Sequence, residues 1–216
     1  QVVISQVYGG GGNTGAPLKN DFIEIFNKGA SSVSLNGWSV QYGSSTGTGA
    51  WLVTNLTNIN LASGSYYLIQ QAAGAGVAPN LPTPDAIGII AMAAGSGKVA
   101  LVNNNTALSG ACPSSTAIQD IVGYGTANCS ETTPTAVLTN TTSTSRNGNG
   151  CTDSNNNSAD FTNGVPNPRN TATPVAVCGG SPVISVSVVA GMNLAEPSTF
   201  GTFIFNLSAN APVGGT

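Results

Sequence analysis

A surface helix needs a polar stripe along one side, and Lys, Arg and Glu are among the residues that build it best. This chain has thirteen charged residues, five basic and eight acidic, among 216. That is roughly a quarter of the ordinary charged fraction. No stretch holds an apolar 3.6-residue period with caps, so helix content is expected to be minimal. The chain offers instead 28 glycines and 40% hydrophobic residues, together with much Asn, Ser and Thr. Such a composition suits short strands joined by tight turns. The apolar content is too high, and the net charge of −3 too low, for a disordered chain.

Period-2 patterns support this. Asp21–Asn27 sets Phe22, Glu24 and Phe26 against Ile23 and Ile25, and Gly37–Gly43 sets Trp38, Val40 and Tyr42 against Ser39 and Gln41. Both read as strands. Val2–Tyr8, Tyr66–Gln71, Lys98–Val102, Ile118–Tyr124 and Ala136–Thr139 are further strand candidates. Seven or more short strands separated by turn signals predict an all-β fold, a β-sandwich. Beyond it, 171–181 (TATPVAVCGGS) reads as a linker, and 182–216 carries two more strands, Val183–Val189 and Thr202–Leu207. Two strands leave open edges and too little core, since a complete sandwich takes about 100 residues. They are expected to be part of a second, incomplete β-sandwich, continued by more chain or completed by a neighbouring domain or another molecule.

The composition excludes several kinds of chemistry. There is no histidine, and so no Ser-His-Asp or Cys-His nucleophile system and no His-ligated zinc. Five basic residues scattered from Lys19 to Arg169 do not make a phosphate-neutralising stripe, so no nucleic-acid partner is expected. The longest apolar stretch, Ala86–Val102, is broken by Gly95, Ser96, Gly97 and Lys98 and falls short of a membrane span. No secretory leader is visible, which suits a mature N-terminus. Four cysteines stand at 112, 129, 151 and 178, with no metal-knuckle or redox spacing. An even count suits disulfides in an extracellular or cell-surface protein. Three pairings exist; Cys112–Cys129 with Cys151–Cys178 is favoured because each bridge staples a loop-rich stretch locally, and four free thiols remain the alternative.

Taken in order, VVISQVYGGGGNTG, NDFIEIFNKG, LNGWSVQYGSSTG, ASGSYYLIQ, SGKVALV, DIVGYG, DSNNNSADF and GVPNPRN resemble the bacterial lamin tail domain from about Val2 to Asn170. The resemblance implies an immunoglobulin-like β-sandwich over 1–170 with no catalytic role. It also implies a setting in secreted and surface proteins, sometimes beside nuclease or phosphatase domains. Chromatin binding by eukaryotic relatives does not carry over, because the basic residues are missing. PVISVSVVAGMNLAEPSTFGTFIFNLSANAP resembles the opening of a Calx-β domain, which implies adhesion and calcium binding. Glu196 falls where that family has an acidic calcium ligand.

Local motifs add little catalytic promise. Gly10-x-Gly12-x-x-Gly15 has the dinucleotide spacing, but Pro17 and the strand at Asp21 leave no room for the helix that meets a pyrophosphate. Gly97-Lys98 lacks the first glycine and the hydroxyl of a P-loop, and reads as a hairpin. Asp21 and Glu24, an odd number apart in a strand, should face opposite ways, and Glu24 is expected to accept hydrogen bonds from loop amides. Asp153-x-Asn155-x-Asn157 copies the first three ligand positions of an EF-hand loop, with Asp160 as a further carboxylate. The copy then departs: Ser158 holds the glycine position and Gly164 the place of the bidentate Glu. Ca2+ is the ion this set, with Glu196, would take, and ion-free Asx turns explain the same residues. Asn55, Asn104, Asn128, Asn140, Asn156 and Asn206 head glycosylation triplets, which such a composition produces by chance.

The reading that results is a non-catalytic extracellular structural or adhesive module of a larger protein. Its expected partners are proteins or copies of itself, and membrane insertion is not expected. The alternatives are an accessory domain of a secreted nuclease or phosphoesterase, and a calcium-dependent binding module.

Overall fold

The computed structural model describes residues 1–179. The strands expected at Val183–Val189 and Thr202–Leu207, the Calx-β resemblance and Glu196 lie outside the described residues. Within them run twelve strands: β1 Val2–Tyr8, β2 Asn20–Asn27, β3 Val33–Ser34, β4 Ser39–Ser44, β5 Leu52–Asn55, β6 Asn60–Leu61, β7 Tyr66–Ala73, β8 Ala86–Ile87, β9 Gly97–Val102, β10 Ile118–Tyr124, β11 Ser143–Arg146 and β12 Phe161–Gly164. One helical turn, α1 (Asn157–Asp160), and a 3-10 turn at Gly148–Gly150 are the helical segments among them.

The strands form two layers, a six-stranded sheet in the order β12-β11-β1-β2-β7-β8 and a four-stranded sheet β10-β9-β4-β5, with β3 and β6 as a small ribbon. Pairing is antiparallel except between β7 and β8. The fold is thus the expected β-sandwich. Ile4, Val7, Ile23, Ile25, Val40, Tyr67, Ile69, Val99, Leu101 and Val122 meet in the core between the layers.

The alternation of β2 has a different outcome from an ordinary half-wet strand, since all eight of its residues are buried. Ile23 and Ile25 enter the core, while Phe22 and Phe26 join two separate apolar clusters. The chain after β12 accounts for part of this cover. Asn167 N–H donates to Gln6 Oε1 and Arg169 N–H to Glu24 Oε2, while Thr171 reaches Asp85 and Ala176 N–H donates to Gly64 O. Of the stretch read as a linker, 171–179 is therefore fastened to the sandwich. Cys178 closes it through a disulfide to Cys151, and Cys112 bonds Cys129, the local pairing.

Ala136–Thr139 is not a strand; the chain there makes only single bridges, Thr135 to Tyr124 and Thr139 to Thr142. Val137 in this stretch is apolar but 59% exposed. The glycine-rich turn after β1 closes against the start of β2, where a Cβ on Gly11 would lie 2.1 Å from the carbonyl carbon of Asn20. That close approach, rather than a ligand, explains the residue.

Removing the Cys151–Cys178 bridge by a double Cys→Ser change is expected to lower stability by about 3–4 kcal/mol on the chain-entropy model. Urea unfolding measures this loss. The same change should expose 171–179 to proteolysis while the two sheets stay folded.

Candidate functional site

A buried charge needs a partner, and the densest set of partners gathers around Arg146, the last residue of β11. Its Nε donates to Ile4 O at 2.8 Å and its Nη1 to Thr152 O at 3.1 Å. Nη1 also meets Asp153 Oδ1 at 3.1 Å, and Nη2 meets Asp120 Oδ2 at 2.6 Å. Ile4 N–H donates to that same Asp120 oxygen. Asp120 lies in β10 of the four-stranded sheet, whereas Ile4 and Arg146 belong to the six-stranded one. One guanidinium thus ties the layers together, with its flat face over the Phe161 ring at 4.6 Å.

Three more acids complete the cluster. Asp153 Oδ2 accepts from Lys28 Nζ at 3.1 Å and from Gln1 Nε2. Asp160 closes α1: it accepts from Ser154 Oγ and N–H and from Asn156 N–H, and its Oδ2 stands 3.7 Å from Arg146 Nη1. Burial pushes the Asp160 carboxyl up, but those donors outweigh it and the group sits below its usual range. Glu131, in the loop after β10, is pushed up to about 8 by burial and by the neighbouring charge of Asp120, with Asp153 and Asp160 adding to it. One oxygen each of Glu131, Asp153 and Asp160 lie within 4.8 Å of one another. Burial likewise pushes Asp120 up, opposed by Arg146 and the Ile4 amide.

The structure therefore brings Asp153 and Asp160 together, while Asn157 and Asn155 have other roles. Asn157 is buried and fully used, donating to Ile121 O and Glu131 Oε2 and accepting from Gly123 N–H and Glu131 N–H. It ties β10 to the Glu131 loop and has no lone pair left for an ion. Asn155 is exposed and takes a left-handed turn, φ 57°, which Asn tolerates. Glu196 is outside the described residues. Asp120, Glu131 and Arg146 were not among the residues the sequence singled out. The signal was there in Asp120, a lone charge inside the apolar run Ile118–Tyr124.

Two other acids serve the frame. Asp21 accepts from Gly11 N–H and Met92 N–H, and burial pushes it up to about 6. Glu24, from the same strand, meets other partners: Arg169 N–H, as expected of a loop amide, the Arg169 guanidinium at 2.8 Å, and Ser5 Oγ. Ser5 and Glu24 place a hydroxyl beside a base, yet both are 0% exposed, so no substrate reaches them. Lys98, also buried, gives its three protons to Gly47 O, Ala111 O and Asn128 Oδ1 beside Trp51.

Among the described residues every charged side chain except that of Lys19 is engaged in holding loops and sheets together. The chain belongs to the lamin tail domain family, whose model matches residues 1–142. This family is an immunoglobulin-like, generally non-catalytic one. β11, β12 and the Asp153–Asp160 loop lie beyond the matched stretch. No curated protein is a significant match to the chain.

Two outcomes test these networks. Arg146→Met leaves Asp120 buried without its cation and should cost about 3–5 kcal/mol in urea unfolding. For Asp21 the folded state prefers the protonated form, so folding takes up a proton between pH about 4 and 6. Stability should fall as pH rises through that window, by about 2–3 kcal/mol. Asp21→Asn should flatten that part of the stability–pH curve.

Proposed function

We propose that this chain is a non-catalytic structural and adhesive module of a larger secreted or surface protein, working by contact with further copies of itself. One observation carries the reading: of the charged residues among 1–179, Lys19 alone is exposed. The remainder are spent on internal bonds, so the surface is a nearly neutral coat of Asn, Ser, Thr and Gly. Copies of such a surface pack side by side with little electrostatic repulsion.

The open end of the six-stranded sheet supports self-contact. β8 and its continuation alternate, with Ala86, Ile90 and Met92 buried and Gly88 half-buried while Ile87, Ile89, Ala91 and Ala93 are exposed. Ile87 is 69% exposed and Ile89 91%. Edge strands usually carry charges or proline against pairing, and 86–97 contains neither. At the opposite end, Asn163 of β12 is tied to Ala136 O and Val137 O, which covers that edge.

The two disulfides suit an oxidising setting outside the cell. Among the described residues no helix is long and apolar enough to cross a membrane. Residues 182–216 fit this reading as part of a Calx-β-like module that follows the sandwich.

Light scattering and electron microscopy at rising protein concentration test the proposal. Ordered oligomers are expected, and an Ile87→Lys/Ile89→Lys double variant should shift the association to at least tenfold higher concentration. A chain that stays monomeric at millimolar concentration contradicts it.

A further inference from the structure

The chain holds four Asn-Gly pairs: Asn36-Gly37, Asn147-Gly148, Asn149-Gly150 and Asn163-Gly164. Asparagine is a chemically labile residue. It is most labile before glycine, whose bare Cα leaves the backbone nitrogen open to the neighbouring side-chain amide. The fold restrains three of the four pairs. Asn147 is held at both ends of its amide, with Nδ2 donating to Ala159 O and Oδ1 accepting from Thr162 Oγ1. Asn163 Nδ2 donates to Ala136 O and Val137 O. Beside Asn149 the backbone nitrogen itself is engaged, since Gly150 N–H donates to Asn147 O, and Gly150 is buried against Phe26.

Asn36-Gly37 lacks each of these restraints. It is the tip of the turn from β3 to β4, which Trp38 N–H closes onto Leu35 O at 3.1 Å. Leu35 is buried in the core and Trp38 packs against it, so the turn is anchored at both ends while both tip residues are exposed. Asn36 N–H donates to Ser34 Oγ, but among the described residues neither the Asn36 side-chain amide nor Gly37 N–H has a hydrogen-bond partner. Gly37 has φ 76°, and a Cβ added there would meet no atom within 4 Å. We propose that Asn36-Gly37 is a self-modification site, at which the folded chain converts the asparagine to aspartate and isoaspartate. Gly37 N attacks Asn36 Cγ and the new C–N bond closes a five-membered succinimide. The side-chain nitrogen leaves as ammonia, taking the proton lost from Gly37. One water then opens the ring. Breaking the new bond leaves aspartate, and breaking the original peptide bond leaves isoaspartate, with the main chain rerouted through Cγ. The sum consumes one water and releases one ammonia. Each event adds a carboxylate to a surface on which, among the described residues, Lys19 is the exposed charge. Isoaspartate also lengthens the turn by one carbon between the anchored Leu35 and Trp38.

The test is peptide mapping by mass spectrometry of the full 216-residue chain, kept folded at mildly alkaline pH, with electron-transfer fragmentation to tell aspartate from isoaspartate. Residue 36 should gain the mass of the amide-to-acid exchange at least tenfold faster than residues 147, 149 and 163, and both products should form there. The same chain, reduced and unfolded in urea, should react at all four pairs at similar rates, because the selectivity belongs to the fold. Asn36→Gln gives up no side-chain hydrogen bond and offers only a slower six-membered closure. It should fold and lose the first acidic species seen on isoelectric focusing. A folded chain that leaves residue 36 unchanged, converts another Asn-Gly pair first, or forms aspartate there without isoaspartate overturns the proposal. So does an Asn36→Gln chain that acidifies as fast as the unaltered one.

Discussion

The bond between Arg146 and Asp120 holds the two layers of this sandwich in register. At 2.6 Å, with both side chains within 2% of full burial, it crosses the core rather than decorating a rim. Removing two charges from water is expensive, and the attraction between them repays it only where the remaining hydrogen-bonding capacity is also filled. Here Ile4 O, Thr152 O and Asp153 accept from the guanidinium, and the Ile4 amide shares Asp120 Oδ2, while Asp120 Oδ1 has no hydrogen-bond partner among the described residues. The central strand β1 is therefore gripped at Ile4 from both sides, by carbonyl and by amide. An apolar core tolerates alternative packings, whereas a buried ion pair with hydrogen-bonded partners is satisfied in one arrangement.

The same economy runs through the described residues. Glu24 pins the returning chain to the outer face of β2 through Arg169, whose guanidinium also lies 3.8 Å from the Tyr66 ring. Asp21 joins the turn after β1 to the segment at Met92, and Lys98 gathers three loops. With these charges committed inside, the described residues present an almost uncharged exterior around the exposed Ile87 and Ile89. This structural use of charge fits the generally non-catalytic character of the lamin tail domain family.

The strands with hydrophobic periodicity were legible from the residues alone. β2 and β4 set apolar residues at alternate positions, while β1, β7, β9 and β10 read as short runs rich in Val, Ile, Leu and Tyr, and burial drives their pairing. β11 was not, because Ser143-Thr144-Ser145-Arg146 has no apolar residue and is held by hydrogen bonds and by the ion pairs of Arg146. β8 was hidden by its length, and Ala136–Thr139 looked like a strand because its apolar residues say nothing about whether a partner edge is present. The site was half legible for a similar reason. Asp153 and Asp160 stand out in a local motif, whereas Asp120 and Glu131 join them only through the closure of two sheets. Asn157 resembled a ligand because Asx residues serve ions and backbone amides with the same atoms.

Native-state hydrogen exchange at the Ile4 amide bears most directly on the role of the Arg146–Asp120 bridge. If that bridge holds the layers together, this amide opens only when the whole domain unfolds. Its exchange free energy should then equal the global stability from urea unfolding. Exchange at a free energy several kcal/mol lower would show that the sandwich stays folded without the bridge, and would contradict the role assigned to it.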